Sequence, residues 1–240
     1  MQDSILPTLA LGFALGLKHA TEADHLAVVS TIVSERRSIL QSARVGVLWG
    51  LGHTTSLFTA GLFVIVLGFS IPEHVANILE FCVALMIIAL GTRLLYLTLR
   101  RSPTAHVHVH THRGRSHSHI HFHSNHDGHP AFQMHDGLHS GLSRWRTFFV
   151  GVVHGLAGSA ALTLLVLTEV MRNGSRILGL SYLLVFGIGS IGGMLVMSSL
   201  IGIPIVLGSR ILPRAPELLQ YPAAIASVAF GVYYGWQIIS

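Results

Sequence analysis

Charge is what this chain has least of. Only 10% of its 240 residues are Asp, Glu, Lys or Arg, 51% are hydrophobic and the mean hydropathy is +0.62. Soluble domains carry about 25% charged residues, so this composition is that of a membrane protein. Cysteine is nearly absent: the single Cys82 excludes an internal disulfide and any Cys-x-x-Cys metal or redox pair. Met1-Gln2-Asp3-Ser4 lacks the basic n-region of a signal peptide, so the first apolar run is expected to be a retained span. Signatures of enzymes are missing as well. There is no His-Glu-x-x-His for a membrane zinc protease, no Gly-x-x-x-x-Gly-Lys for ATP and no Gly-x-Ser-x-Gly nucleophile elbow. The chain is therefore expected not to be an enzyme, with no catalytic residues and no resident cofactor. Energy for any transport must come from a gradient or another subunit.

What is present is a series of apolar runs near 5–33, 43–69, 76–99, 147–171, 177–207 and 217–238. Each meets the roughly 20 helical residues that a bilayer requires. The expected fold is all-α, a polytopic membrane helix bundle of six transmembrane helices. Arg36, Arg37 and Arg44 follow the first run, Arg100, Arg101, Arg113, Arg115, Arg144 and Arg146 belong to the third connection, and Arg210 and Arg214 to the fifth. The positive-inside tendency then makes connections one, three and five cytoplasmic and leaves both termini outside a cytoplasmic membrane. The formal charge of +5 is explained by these short basic loops, so a lipid bilayer is the expected partner and nucleic acid is not.

Three regions follow: a first membrane half over 1–100, a histidine-rich loop over 101–144 and a second membrane half over 145–240. Gly16-Leu17-Lys18-His19 resembles Gly151-Val152-Val153-His154, and Trp49-Gly50-Leu51-Gly52-His53 resembles Phe186-Gly187-Ile188-Gly189-Ser190 at nearly the same offset. Three spans per half would make this a 3+3 inverted repeat, an architecture that puts a substrate site at the interface of the halves. Glycines four apart, such as Gly12/Gly16, Gly46/Gly50, Gly151/Gly155 and Gly189/Gly193, predict closely packed helices. Pro204 is expected to kink or end the fifth run. In the loop, His106, His108, His110 and His112 alternate with Val and Thr, and His117, His119, His121 and His123 alternate similarly with single residues. Such low complexity predicts a disordered cytoplasmic segment that binds borderline metals through neutral imidazoles and offers a contact for a cytoplasmic metallochaperone.

The first run interrupts its apolar character at Lys18-His19-Ala20-Thr21-Glu22-Ala23-Asp24-His25. Ionisable groups at a bilayer centre cost roughly 2.5–3.5 kcal/mol each on insertion scales, so they persist where they are paired, hydrated or used. On a straight helix His19 and His25 stand roughly 9 Å apart along the axis. An imidazole nitrogen must come within about 2.1 Å of a first-row metal ion. The helix is therefore predicted to unwind or bend around residues 19–25. His53 and His154, each beside glycine in an apolar run, are further candidates of lower weight, and Glu22 is either a ligand or a charge partner of Lys18.

His19-Ala20-Thr21-Glu22-Ala23-Asp24-His25 fits the pattern His, four residues, Asp, His of the nickel/cobalt transporter family, and Leu15-Gly16-Leu17-Lys18 resembles its lead-in. Leu51-Gly52-His53-Thr54 is similar to a second family segment, and Val153-His154-Gly155-Leu156-Ala157-Gly158-Ser159 resembles segments of shorter members. The resemblance implies movement of Ni²⁺ or Co²⁺ across the cytoplasmic membrane, with His19, Asp24 and His25 recognising the ion and His53 contributing less. Two departures stand out: Glu22 replaces an Asp common in the family, and eight-span importers carry the motif on their second helix. The histidine-rich loop resembles that of exporters. Uptake by a secondary, alternating-access mechanism is the expectation; efflux, or a non-transporting factor that senses or delivers metal for metalloenzyme maturation, is the alternative.

Overall fold

The computed structural model describes residues 5–67, 72–100, 105–112, 115–122, 136–157, 176–212 and 215–240. Seven helices and one hairpin occur among them: α1 (Ile5–His19), α2 (Ala23–Val33), α3 (Ile39–Leu67), α4 (Glu73–Arg100), β1 (Ala105–His112), β2 (Arg115–Phe122), α5 (Asp136–Gly155), α6 (Arg176–Ile211) and α7 (Ala215–Ile239). Three of these, over Glu73–Arg100, Arg176–Ser209 and Glu217–Ile239, are long and apolar enough to cross a membrane. The helical bundle expected from the composition is present. The second part of the expected fourth span, residues 158–171, lies outside the described residues.

The first apolar run is two helices. α1 has 15 residues and α2 has 11, so neither alone reaches the roughly 20 that a span needs. The interruption is confined to Ala20–Glu22, narrower than the 19–25 predicted. Its cause is local. Thr21 donates its hydroxyl to the Lys18 carbonyl at 2.6 Å while the Thr21 and Glu22 amides turn back to Lys18 and His19, three residues earlier. Side-chain bonding to nearby carbonyls competes with the helical ladder. Glu22 is extended, at φ −66° and ψ 152°, and caps α2, whose first turn holds Asp24 where a helix dipole favours an anion.

Two expectations need correction. Pro204 lies inside α6, which continues to Ile211, so of the two outcomes expected, a kink or an end, the ending does not occur. Membrane helices tolerate proline because neighbouring groups satisfy the freed carbonyl. The histidine-rich segment, expected to be disordered, pairs antiparallel over β1 and β2, with His106 opposite His121, His108 opposite His119 and His110 opposite His117. Its alternation has the period of a strand, two, and a proline-free composition over those residues permits the ladder. α5 also starts at Asp136, eight residues before the expected end of the loop; 123–135 lie outside the described residues.

α3 packs against both α5 and α6, α1 against α6, and α4 against α7, with α2 wedged among α7, α6 and α4. Trp49, Val28, Val29, Val33, Val83, Ile87 and Met194 form the buried centre. Glycine sets how near the helices come, and its contacts recur in matched sets. Gly16 lies against Phe186 and Ser190, as Gly151 lies against Trp49 and His53. Gly189 faces Phe13 and Leu17, as Gly52 faces Phe148 and Val152; Gly91 faces Ala224 and Val228, as Gly231 faces Ala84 and Ile88. A Cβ on Gly16, Gly52 or Gly151 would collide with backbone carbonyl oxygen, which cannot rotate away. At Gly192 the nearest such atom is the Leu17 Cδ2, 3.9 Å off. Gly151→Ala is therefore expected to cost about 1–3 kcal/mol, the range for overpacking, and to lower the detergent-solubilised melting temperature, whereas Gly192→Ala leaves it unchanged.

Candidate metal centre

The break in the first run sets the site. α1 ends on His19 and α2 opens with Asp24 and His25, so the chain turns between them and their imidazole centroids come to 4.4 Å. From α3, His53 brings its Nε2 to 3.1 Å from the Nε2 of His19. From the last turn of α5, His154 donates Nε2–H to the Asp24 Oδ2 at 2.9 Å, and its ring centre lies 4.3 Å from that of His25. His53 and His154 can approach because Gly52, Gly151 and Gly155 carry no side chain where α3 meets α5. All four histidines are buried, His25 and His53 completely.

Carboxylates orient the rings. Asp24 accepts from His25 Nδ1 at 3.0 Å with one oxygen and from His154 with the other. Glu22, its side chain 44% exposed, stands 3.0 Å from the His19 Nδ1 rather than on the exposed Lys18. A carboxylate that holds one imidazole N–H fixes the tautomer and leaves the other nitrogen a lone pair, the arrangement usual behind metal-bound histidine. His25 Nε2, His53 Nδ1 and His154 Nδ1 are buried without a hydrogen-bond partner among the described residues. Two overlapping sets result: His19, His25 and His53, and Asp24, His25 and His154, the ligand atoms of each lying within 4.8 Å of one another. His25 belongs to both.

All six residues singled out in the sequence, His19, Glu22, Asp24, His25, His53 and His154, thus meet in one place. Trp49, named in the sequence only as part of the internal repeat, stands in the wall of this centre. It is fully buried with its ring 5.3 Å from His25 and 5.5 Å from His154. Its position four residues before His53, one helical turn away, was the available signal.

The family model described as NicO, high-affinity nickel-transport protein, matches residues 5–219. The chain belongs to the NicO family. NicO proteins are nickel transporters rather than enzymes, and this member, with its long apolar helices, is a membrane protein. It is 35% identical to the urease accessory protein UreH of Bacillus sp. (strain TB-90), over 99% of this chain and 94% of that protein. It is 25% identical to the chloroplast protein FOR GROWTH AND FERTILITY 2 of Arabidopsis thaliana, over 97% of this chain and 57% of that one. A shorter match, 31% identical over 74 residues, joins 29% of the chain to 20% of the high-affinity nickel transport protein of Cupriavidus necator. No solved structure matches this NicO chain.

Asp24 is the acceptor common to two buried donors. Asp24→Leu leaves His25 Nδ1 and His154 Nε2 unsatisfied at about 1–3 kcal/mol each, so a thermal melt in detergent should shift several degrees downward. Glu22→Gln keeps an acceptor oxygen beside His19 and is expected to stay within about 0.5 kcal/mol of the parent.

Proposed function

We propose that this protein carries Ni²⁺, and Co²⁺ by the same chemistry, inward across the cytoplasmic membrane by alternating access about the His19–His25–His53 centre. The observation that carries the reading is a buried group of imidazoles, oriented by carboxylates, in which His25 Nε2, His53 Nδ1 and His154 Nδ1 meet no hydrogen-bond partner among the described residues. Unsatisfied buried acceptors are costly, and a borderline divalent cation satisfies several at once. His19, His25 and His53 supply nitrogen ligands. Asp24 offsets the ion's charge and holds His25 and His154 in register; Glu22 holds His19 and, being half exposed, stands at the approach.

The second set, with Asp24, His25 and His154, gives the ion a neighbouring position through the shared His25. Two bound positions in series let an ion be held firmly yet leave. The matched glycine contacts support a six-span 3+3 inverted repeat, in which His19 corresponds to His154 and His53 to Ser190. Rocking of one half against the other would expose the centre to each side in turn. Both termini then lie outside, and the histidine-rich hairpin faces the cytoplasm, where it can pass metal to a carrier protein. Two charges moving inward through 100 mV release roughly 4.6 kcal/mol, enough to drive uptake without ATP.

A second reading has one specific support, the relative named as a urease accessory protein. In that reading the chain hands nickel to a maturing metalloenzyme without moving it across the membrane. Accumulation of radiolabelled nickel and cobalt in cells making the wild type, His19→Ala or a deletion of residues 106–139 separates the two. Raised accumulation that His19→Ala abolishes is the expected result. Lowered accumulation means efflux, and no difference between the wild type and empty cells favours delivery. The ligating imidazoles must be neutral, so protons compete with the ion for the same nitrogens and acid weakens binding. Uptake measured at pH 7.5 should therefore exceed that at pH 5.5.

A further inference from the structure

We propose that the cleft between α2, α4 and α5 binds an anionic phospholipid. α5 packs on α3 and barely touches α4, which leaves a space of about 910 Å³ between them. Its two ends differ in chemistry. Toward one end Arg36, Arg93 and Arg146 line the cleft with one carboxylate among the described residues, Glu35, to which the Arg93 Nη1 donates at 3.0 and 3.2 Å. Toward the other end the wall is apolar, and Leu85, Phe149 and Val153 stand 50%, 57% and 41% exposed.

No other occupant suits both ends. Three guanidinium groups against one carboxylate repel a divalent cation, so the cleft is not a route for the transported ion. Inorganic phosphate would pair with the arginines and leave the apolar wall uncovered. A phospholipid places its phosphate among the planar, multiply donating arginines and lays an acyl chain along Leu85, Phe149 and Val153. Basic pockets between membrane helices select anionic head groups in this way. Val153 precedes His154, so the bound chain would lie against the helix turn that carries one wall of the metal centre. The proposal rests on the membrane placement of the protein and not on the metal path; loss of nickel transport in His19→Ala leaves it untouched.

Cys82 lines the cleft and is exposed, and as the single cysteine of the chain it reports occupancy. The full-length protein, purified in detergent, would be titrated with phosphatidylglycerol, phosphatidylcholine or inorganic phosphate. Native mass spectrometry reads bound lipid, and maleimide reaction at Cys82 reads access. Phosphatidylglycerol is expected to bind one to one and slow the labelling, with little effect of the other two. Arg36→Gln and Arg146→Gln should each weaken that binding about fivefold, the value of one basic residue at an anionic lipid surface. Leu85→Trp, which fills the apolar end and alters no charge, should also weaken it and tests the site should an arginine variant fail to fold. Equal binding of phosphatidylcholine, equal protection by inorganic phosphate, or unchanged phosphatidylglycerol binding in the folded variants would overturn the proposal.

Discussion

The Asp24 carboxylate, accepting from His25 on its own helix and from His154 on α5, is the tie on which the metal centre depends. A lone carboxylate buried among apolar helices would be expelled or protonated; two imidazole donors make it tenable. The tie works in both directions. It pins α5 to the start of α2, and it turns each imidazole so that its remaining nitrogen is buried with no hydrogen-bond partner among the described residues. A purely structural network would have satisfied those nitrogens, because buried polar groups nearly always find partners. Under the proposed function, a bound ion is what completes a polar cluster that is ordered yet incomplete.

Such a centre requires helices that come closer than ordinary side chains allow. In lipid, burying apolar surface gains little between helices, and contact must come from packing. Glycine supplies it at the places that matter: Gly52 and Gly151 bring α3 onto α5, and Gly16 and Gly189 bring α1 onto α6. His53 and His19 sit one and three residues beyond glycines in these seams, so the same close approach that builds the bundle delivers the ligands. The three-residue break at Ala20–Glu22 completes the geometry by letting one strand of chain contribute from two directions.

Much of the fold was legible before any coordinates. Scarce charge and long apolar runs indicate a helical membrane bundle, because no other spanning structure fits such sequences. The impossibility of spanning roughly 9 Å between His19 and His25 on a straight helix required a break. Less legible were features that depend on neighbours. That α6 continues past Pro204 is not revealed by the proline's position in the sequence. The pairing of β1 with β2 was hidden behind a composition that resembles disorder, although its period of two matches a strand. Trp49 entered the sequence reading only through the repeat, because its place beside His25 and His154 arises only when α3 faces α2 and α5.

By itself the sequence determined the membrane class, the candidate metal-ligand types and the necessity of a bend near His19 if its imidazole is to meet that of His25, since these follow from composition, donor chemistry and helix geometry. Only the tertiary structure decided which histidines meet. His53 and His154 lie 34 and 135 residues beyond His19, and neither helix nor strand periodicity connects them. They converge because glycine seams fix the crossing of α3 with α5 and of α1 with α6. The division of the centre into two sets hinged on His25, and the arginine-ended cleft between α2, α4 and α5, are likewise products of packing. Distance along the chain carries no information about such meetings; helix crossing does.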